Sequence, residues 1–258
     1  MNTIKIILLY LLPLCFVLIP LYFGEQYAKY ALKKNEKIKE GTIGAVVGAT
    51  FGLLAFLLAF TFQIAESRYG ARKELLLKES GEIRSVYHLA GLLPDSLKTK
   101  ARALTGEYVD IRLEAFYDNS KKDHLITRSQ EIIDQLWQFA EHMNTLDRSS
   151  EAYSLFASAV LNASETFHER KIIALHYRIP SSILFILGCM TFIAMLLLGY
   201  QLGVSGKVSF ILNLFLGLTF ALVIWLILIL DRPELGIAKI NQQPLIDLQT
   251  EINNQIGH

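Results

Sequence analysis

Cysteine is almost missing from this chain: among 258 residues only Cys15 and Cys189 carry a thiol, and both lie in apolar runs. Neither a disulfide framework nor a CxxC metal site can be built from them. Charge is scarce too, at 19% Asp, Glu, Lys and Arg against 52% hydrophobic residues, with a mean hydropathy of +0.36. That balance excludes an ordinary soluble domain. The 25 basic residues nearly cancel the 24 acidic ones, leaving a net charge of +1, so there is no broad positive field for a nucleic-acid backbone. Strand alternation, hairpin signals, internal repeats and low-complexity tracts are absent from the sequence.

What the chain does have is four stretches without a single charged residue: Ile6 to Gly24, Gly41 to Ala65, Ile179 to Gly206 and Val208 to Leu230. A bilayer core excludes Lys, Arg, Asp and Glu, and about 20 apolar residues span it as a helix. Four transmembrane helices are therefore expected. The first run is longer than the apolar part of a signal peptide and no A-x-A site follows it, so it reads as a retained anchor. Leu14 before Cys15 is too large for a lipoprotein cleavage site.

Between the second and third spans, residues 66–178 turn polar but keep a helical period. Leu76, Ile83, Tyr87 and Ala90 share one face of a segment that continues the second span up to Pro94. Asp95 is placed to cap the next helix, whose apolar stripe runs from Leu97 to Phe116, and Asn119 to Asp123 form a polar loop. Ile132 to Met143 and Tyr153 to Ile173 mark two further helices. The expected fold is an all-α membrane protein divided as 1–65 (spans one and two), 66–178 (helical extramembrane bundle), 179–230 (spans three and four) and 231–258 (C-terminal tail).

Chemistry is hard to find. Glu165 and His168 have the ExxH spacing of di-iron bundles, but no second ExxH exists, and the remaining histidines lack HxxH or HExxH spacing. The spans contain no carboxylate, lysine or histidine of the kind that proton-coupled transporters use. No enzyme activity, cofactor or metal is expected.

The second span is the informative one. Gly44, Gly48 and Gly52 recur every four residues, and Phe56 and Phe60 continue the row. The glycines fit close helix packing. The two phenylalanines fit either lipid or core contact or an apolar constriction that gates by dewetting. Arg68 and Arg72, one turn apart just beyond, fit either snorkelling anchors or a cationic vestibule.

Here the residues carry a family likeness. Leu58-Ala59-Phe60, then Ser67-Arg68-Tyr69 and Ala71-Arg72, resemble the end of the second helix in bestrophins. After the last span, Leu230-Asp231-Arg232-Pro233 with Gly236, then Pro244-Leu245 and Leu248, are similar to the segment that follows the last membrane helix in bacterial bestrophins. The layout as a whole resembles a bestrophin-like bacterial membrane family. That resemblance implies a homopentamer with five copies of the second helix around an axial pore, Phe60 and by its row Phe56 forming the neck, and Asp231, Pro233 and Gly236 forming the tail motif. It implies a monovalent permeant ion of either sign, since bestrophins carry anions and some bacterial members pass cations. Glu234 stands where an aromatic usually follows the proline, and the acidic run of the calcium clasp is absent, so calcium gating is not implied.

The expected function is an oligomeric ion channel of the bacterial inner membrane, in contact with the lipid bilayer. The alternative is a membrane-anchored sensor or scaffold that binds a ligand or partner through its helical bundle. Near the span ends, eleven Lys and Arg lie on the bundle side against six opposite, which favours a cytoplasmic bundle and cytoplasmic termini; the five lysines of the short first loop argue the reverse. With the first orientation, alkaline phosphatase fused to the C-terminus is inactive; an active fusion would reverse the assignment.

Overall fold

The computed structural model describes residues 3–34, 40–118, 120–147, 149–176, 178–206, 210–232 and 238–256. Among them there is helix and no strand, in the order α1 (Thr3–Lys33), α2 (Glu40–Leu89), a 3₁₀ turn (Ala90–Leu92), α3 (Asp95–Tyr117), α4 (Lys122–Leu146), α5 (Glu151–His176), α6 (Ser181–Ser205), α7 (Phe210–Asp231) and α8 (Gln243–Ile256). Four of these, α1, α2, α6 and α7, include stretches long and apolar enough to cross a membrane. The chain is an all-helical membrane protein with four spans.

The expectation that the second span continues without a break is met almost to its end. α2 is a single helix of 50 residues, about 75 Å at 1.5 Å per residue, and only its Gly41 to Ala65 part is free of charge. It tightens at Ala90 and stops at Leu93, which is extended, as a residue before proline prefers. Asp95, expected as the cap of the next helix, is instead its first helical residue, and Pro94 occupies the cap position. The fixed φ of proline takes the turn there, and the Asp95 carboxylate complements the positive end of the helix from inside the first turn.

The chain divides into two compact units, Met1–Gly70 with Arg178–Lys239, and Ala71–Tyr177 with Ile240–His258. In the first, the core gathers Val17 and Leu21 of α1, Leu54 and Leu58 of α2, Leu187, Ala194 and Met195 of α6, and Ala221 and Ile227 of α7. Phe51 and Phe220 meet edge to face at 5.4 Å between α2 and α7. Lipid removes the hydrophobic drive between helices, so close backbone packing must hold them. It does so at three glycines. A Cβ on Gly24 of α1 would strike the Leu196 carbonyl of α6, and one on Gly199 of α6 would strike the Leu21 carbonyl of α1. One on Gly203 would come within 2.6 Å of the Ala28 Cβ and 2.8 Å of the Glu25 carbonyl. At the end of α7, the buried Asp231 carboxylate accepts a hydrogen bond of 2.8 Å from the Ile179 N–H, just before α6.

In the second unit, Leu76, Ile83, Val86 and Tyr87 of α2 pack with Tyr108 and Val109 of α3, Ile132, Leu136 and Met143 of α4, and Phe156, Val160 and Phe167 of α5. The last helix, α8, adds Leu245, Leu248 and Ile252 to the same core. Each fully buried side chain of this size contributes about 1.5–3 kcal/mol. Polar contacts fix the register of α8: the Ser80 hydroxyl donates to the Pro244 carbonyl at 2.9 Å, and Gln249 donates to Asp110 at 2.6 Å. Glu251 takes Arg84 at 2.9 Å, with His88 at 3.1 Å from its other oxygen.

Because Gly199 and Gly203 face backbone whereas nothing lies within 4 Å of a Cβ placed on Gly48 or Gly52, their substitutions should part company. Gly199→Leu or Gly203→Leu is expected to destabilise the membrane unit by about 1–3 kcal/mol or more, read as a lower melting temperature in detergent. Gly48→Ala and Gly52→Ala should leave the melting temperature unchanged or slightly raised, since alanine meets no neighbour there and favours the helix.

Candidate functional site

α2 presents two faces in its apolar part. Val47, Leu54, Leu58, Thr61 and Ala65 are buried in the membrane unit. On the opposite side Ala45, Gly48, Ala49, Gly52, Ala55 and Ala59 are exposed, all small, and with them stand Phe56 at 65% and Phe60 at 49% exposure. A row spaced by four residues drifts only slowly around a helix, so the glycines and the two aromatic rings run up one stripe. Gly44 is the exception, since a Cβ there would come within 3.5 Å of the Gln201 amide nitrogen of α6. Thr61 donates its hydroxyl to the Leu57 carbonyl at 2.7 Å, which hides a polar group on the buried side. The stripe thus has small residues first and bulk last, and no polar side chain between Gly44 and Phe60 along the row.

Arg68 follows within the same unit. It is partly buried, and its Nη1 is enclosed without donating to any atom among the described residues. Arg72 is partly buried as well. Of the tail residues, Asp231 is the buried acceptor for Ile179, whereas Pro233 and Gly236 lie outside the described residues. Glu165 and His168 are both exposed on α5, where the His168 ring nitrogen meets the Ser164 carbonyl at 2.8 Å. Among the described residues no group of three or more His, Cys, Asp and Glu is placed to hold a metal ion.

The second unit holds a further site that no motif spacing marks. Glu79 of α2 is fully buried, and side chains from two other helices close on its carboxylate. Arg112 of α3 reaches it with Nε at 3.0 Å, Arg170 of α5 pairs with its other oxygen, and the Tyr108 hydroxyl donates at 2.5 Å. Arg112 also sits over the Phe167 ring, 5.8 Å from its centre. Burial pushes the Tyr108 phenol up to about 12, which keeps it a donor. Burial also pulls Arg170 down to about 10, still well above neutrality, so the carboxylate faces two cations. A signal was available: Glu79 stands in the apolar stripe between Leu76 and Ile83, where an unpaired charge would be costly.

With this geometry in view, the comparison with known proteins is decisive for the family. A family model described as the bestrophin-like domain matches residues 14–245. The chain belongs to the bestrophin-like family. Solved structures agree in fold: a single-substitution variant of the bacterial bestrophin homolog from Klebsiella pneumoniae is 14% identical with a TM-score of 0.69, covering 96% of this chain and 99% of that one. The same homolog phased on zinc is 12% identical with a TM-score of 0.65, covering 96% and 98%. No curated protein sequence matches this bestrophin-like chain.

The Glu79 node of this bestrophin-like chain makes a sharp prediction. Removing one partner of a buried ion pair strands the other, at about 3–5 kcal/mol, and the guanidinium side chains of Arg112 and Arg170 keep 12% and 22% exposure. Arg112→Met or Arg170→Met should therefore cost about 3 kcal/mol, measured by chemical denaturation followed by circular dichroism. Glu79→Leu should cost as much, because it strands two cations, and a Glu79→Leu chain that melts like wild type would remove the node from the folding energetics.

Proposed function

We propose that this protein is an oligomeric ion channel of the bacterial inner membrane, with copies of α2 around an axial pore and an apolar neck at Phe56 and Phe60. The observation that carries the reading is the exposed stripe of α2. A single chain leaves open, on one side of one membrane helix, small residues that admit a neighbouring helix closely and two rings of the size that can constrict a pore. Family membership supports it. Five copies are the proposed number, on the resemblance to bestrophins, and the bundle and both termini are placed in the cytoplasm. The permeant ion is monovalent, and its sign is an outcome of the experiment.

Apolar necks resist ions because water leaves them before ions can cross. Phe56→Ala and Phe60→Ala, singly or together, should raise basal conductance in planar bilayers under asymmetric salt. Unchanged currents in all three variants would take both rings out of the neck. Changing Arg68 and Arg72 together to Glu should move the reversal potential toward cation selectivity, and an unmoved potential would return them to anchoring. Silence from folded, oligomeric wild type and variants alike would transfer the proposal to a sensor or scaffold acting through the bundle.

A further inference from the structure

The far end of α1 is a second exposed surface, independent of the α2 stripe. Its inner side buries Leu21, Gly24, Ala28 and Ala31, with the Glu25 side chain largely covered beside them, and Gly24 meets the α6 backbone directly. Its outer side is the reverse. Phe23, Tyr27, Tyr30 and Lys34, spaced by four, three and four residues, are all exposed along one face, with Tyr22, Lys29 and Lys33 beside them. Along the helix the apolar run is followed by Tyr22, Tyr27 and Tyr30, with the Glu25–Lys29 pair among them, and then by Lys33 and Lys34, as hydrocarbon gives way to interface and headgroup in a bilayer leaflet.

The surface is also held in shape. The Tyr27 ring packs against Tyr200 of α6 with centres 5.9 Å apart, so two helices share the aromatic platform. Lys34 holds its ammonium 5.9 Å from the centre of the Tyr30 ring. Lys29 is neutralised by Glu25 at 2.5 Å, which among the described residues leaves Lys33 and Lys34 as the cations at the end of a helix that carries phenol hydroxyls able to donate. Donors and positive charge at headgroup depth call for a phosphate diester carrying a net negative charge; a zwitterionic headgroup would bring a choline or ethanolamine cation against the lysines.

We propose that this end of α1 is a docking surface for the headgroup of an anionic phospholipid, with Lys33 and Lys34 pairing with the phosphate and Tyr27 and Tyr30 flanking the glycerol region. The occupant is lipid because the surface lies on a membrane-spanning helix at the end of its apolar run, where a headgroup is already at hand.

The test uses the full chain, purified in detergent, delipidated and then offered phosphatidylglycerol or phosphatidylcholine at equal concentration, with bound lipid counted by native mass spectrometry. Wild type should retain phosphatidylglycerol in preference to phosphatidylcholine. The Lys33→Gln, Lys34→Gln double variant should lose that preference by roughly tenfold or more, since each lysine near a headgroup layer contributes on the order of 1 kcal/mol. Both side chains are exposed, so folding should survive, as an unchanged melting temperature in detergent would verify. Tyr27→Leu with Tyr30→Leu should weaken retention less and without regard to headgroup charge.

Equal retention of the two lipids by wild type, or an unaltered preference in the lysine variant, overturns the proposal. Displacement of the lipid by millimolar inorganic phosphate would assign the surface to a free anion and overturn it too. So would disulfide-linked dimers formed through Tyr30→Cys in a background free of Cys15 and Cys189, because they would assign the face to a second copy. None of these outcomes depends on whether the protein conducts.

Discussion

Everything in the membrane unit depends on how near α1 can come to α6. In lipid there is no hydrophobic gain from pushing two apolar helices together, so contact must come from van der Waals fit over a long seam. Gly24, Gly199 and Gly203 set that fit, because at each of them a single added carbon would meet the neighbouring helix. The closeness has two results. It puts the Tyr27 and Tyr200 rings within stacking distance, and it lets α1 carry Pro13 and Pro20 inside its length with a neighbouring helix at hand to support the interrupted backbone.

The second unit is organised on the opposite principle, by a charge that water cannot reach. Most of its core is aliphatic and aromatic, and substitutions of similar size could repack there. Glu79 could not be moved so freely: its two guanidiniums and its phenol come from helices distant in sequence, and their geometry admits one arrangement of α2, α3 and α5. The attraction in a buried ion pair of this kind is offset by the cost of taking its charges out of water. The apolar contacts of the core surround the node, and its two guanidiniums and phenol tie α3 and α5 to α2.

Much of this was legible in the residues, for identifiable reasons. The four spans follow from the exclusion of charge by hydrocarbon, and the long α2 from an apolar run that passes, with no proline before Pro94, into a polar stretch with Leu76, Ile83 and Tyr87 on one helical face. The tail resemblance drew attention to Pro244, Leu245 and Leu248 but gave no sign that they complete the bundle core. Glycine rows were visible on both α2 and α6, yet spacing alone does not tell a glycine that faces its own chain from one that faces outward. The row on α2 attracted notice because two phenylalanines continue it; the pair at Gly199 and Gly203 holds the chain itself together. Glu79 escaped for a different reason. Its partners Tyr108, Arg112 and Arg170 lie on other helices, and a helical period reports which residues share a face but never which helix that face will meet.

The position of α8 bears on how the protein is made. The bundle draws its core from residues 71–177 and again from 240–258, with two membrane helices written between the two parts. Synthesis runs from the N-terminus, so α2 to α5 emerge and collapse while the site for Leu245, Leu248 and Ile252 is still empty. α6 and α7 are synthesised before α8, so the bundle is closed by a helix that follows two membrane spans in the chain. A chain stalled before α8 would leave the bundle core without Leu245, Leu248 and Ile252, an open apolar seam for quality-control proteases.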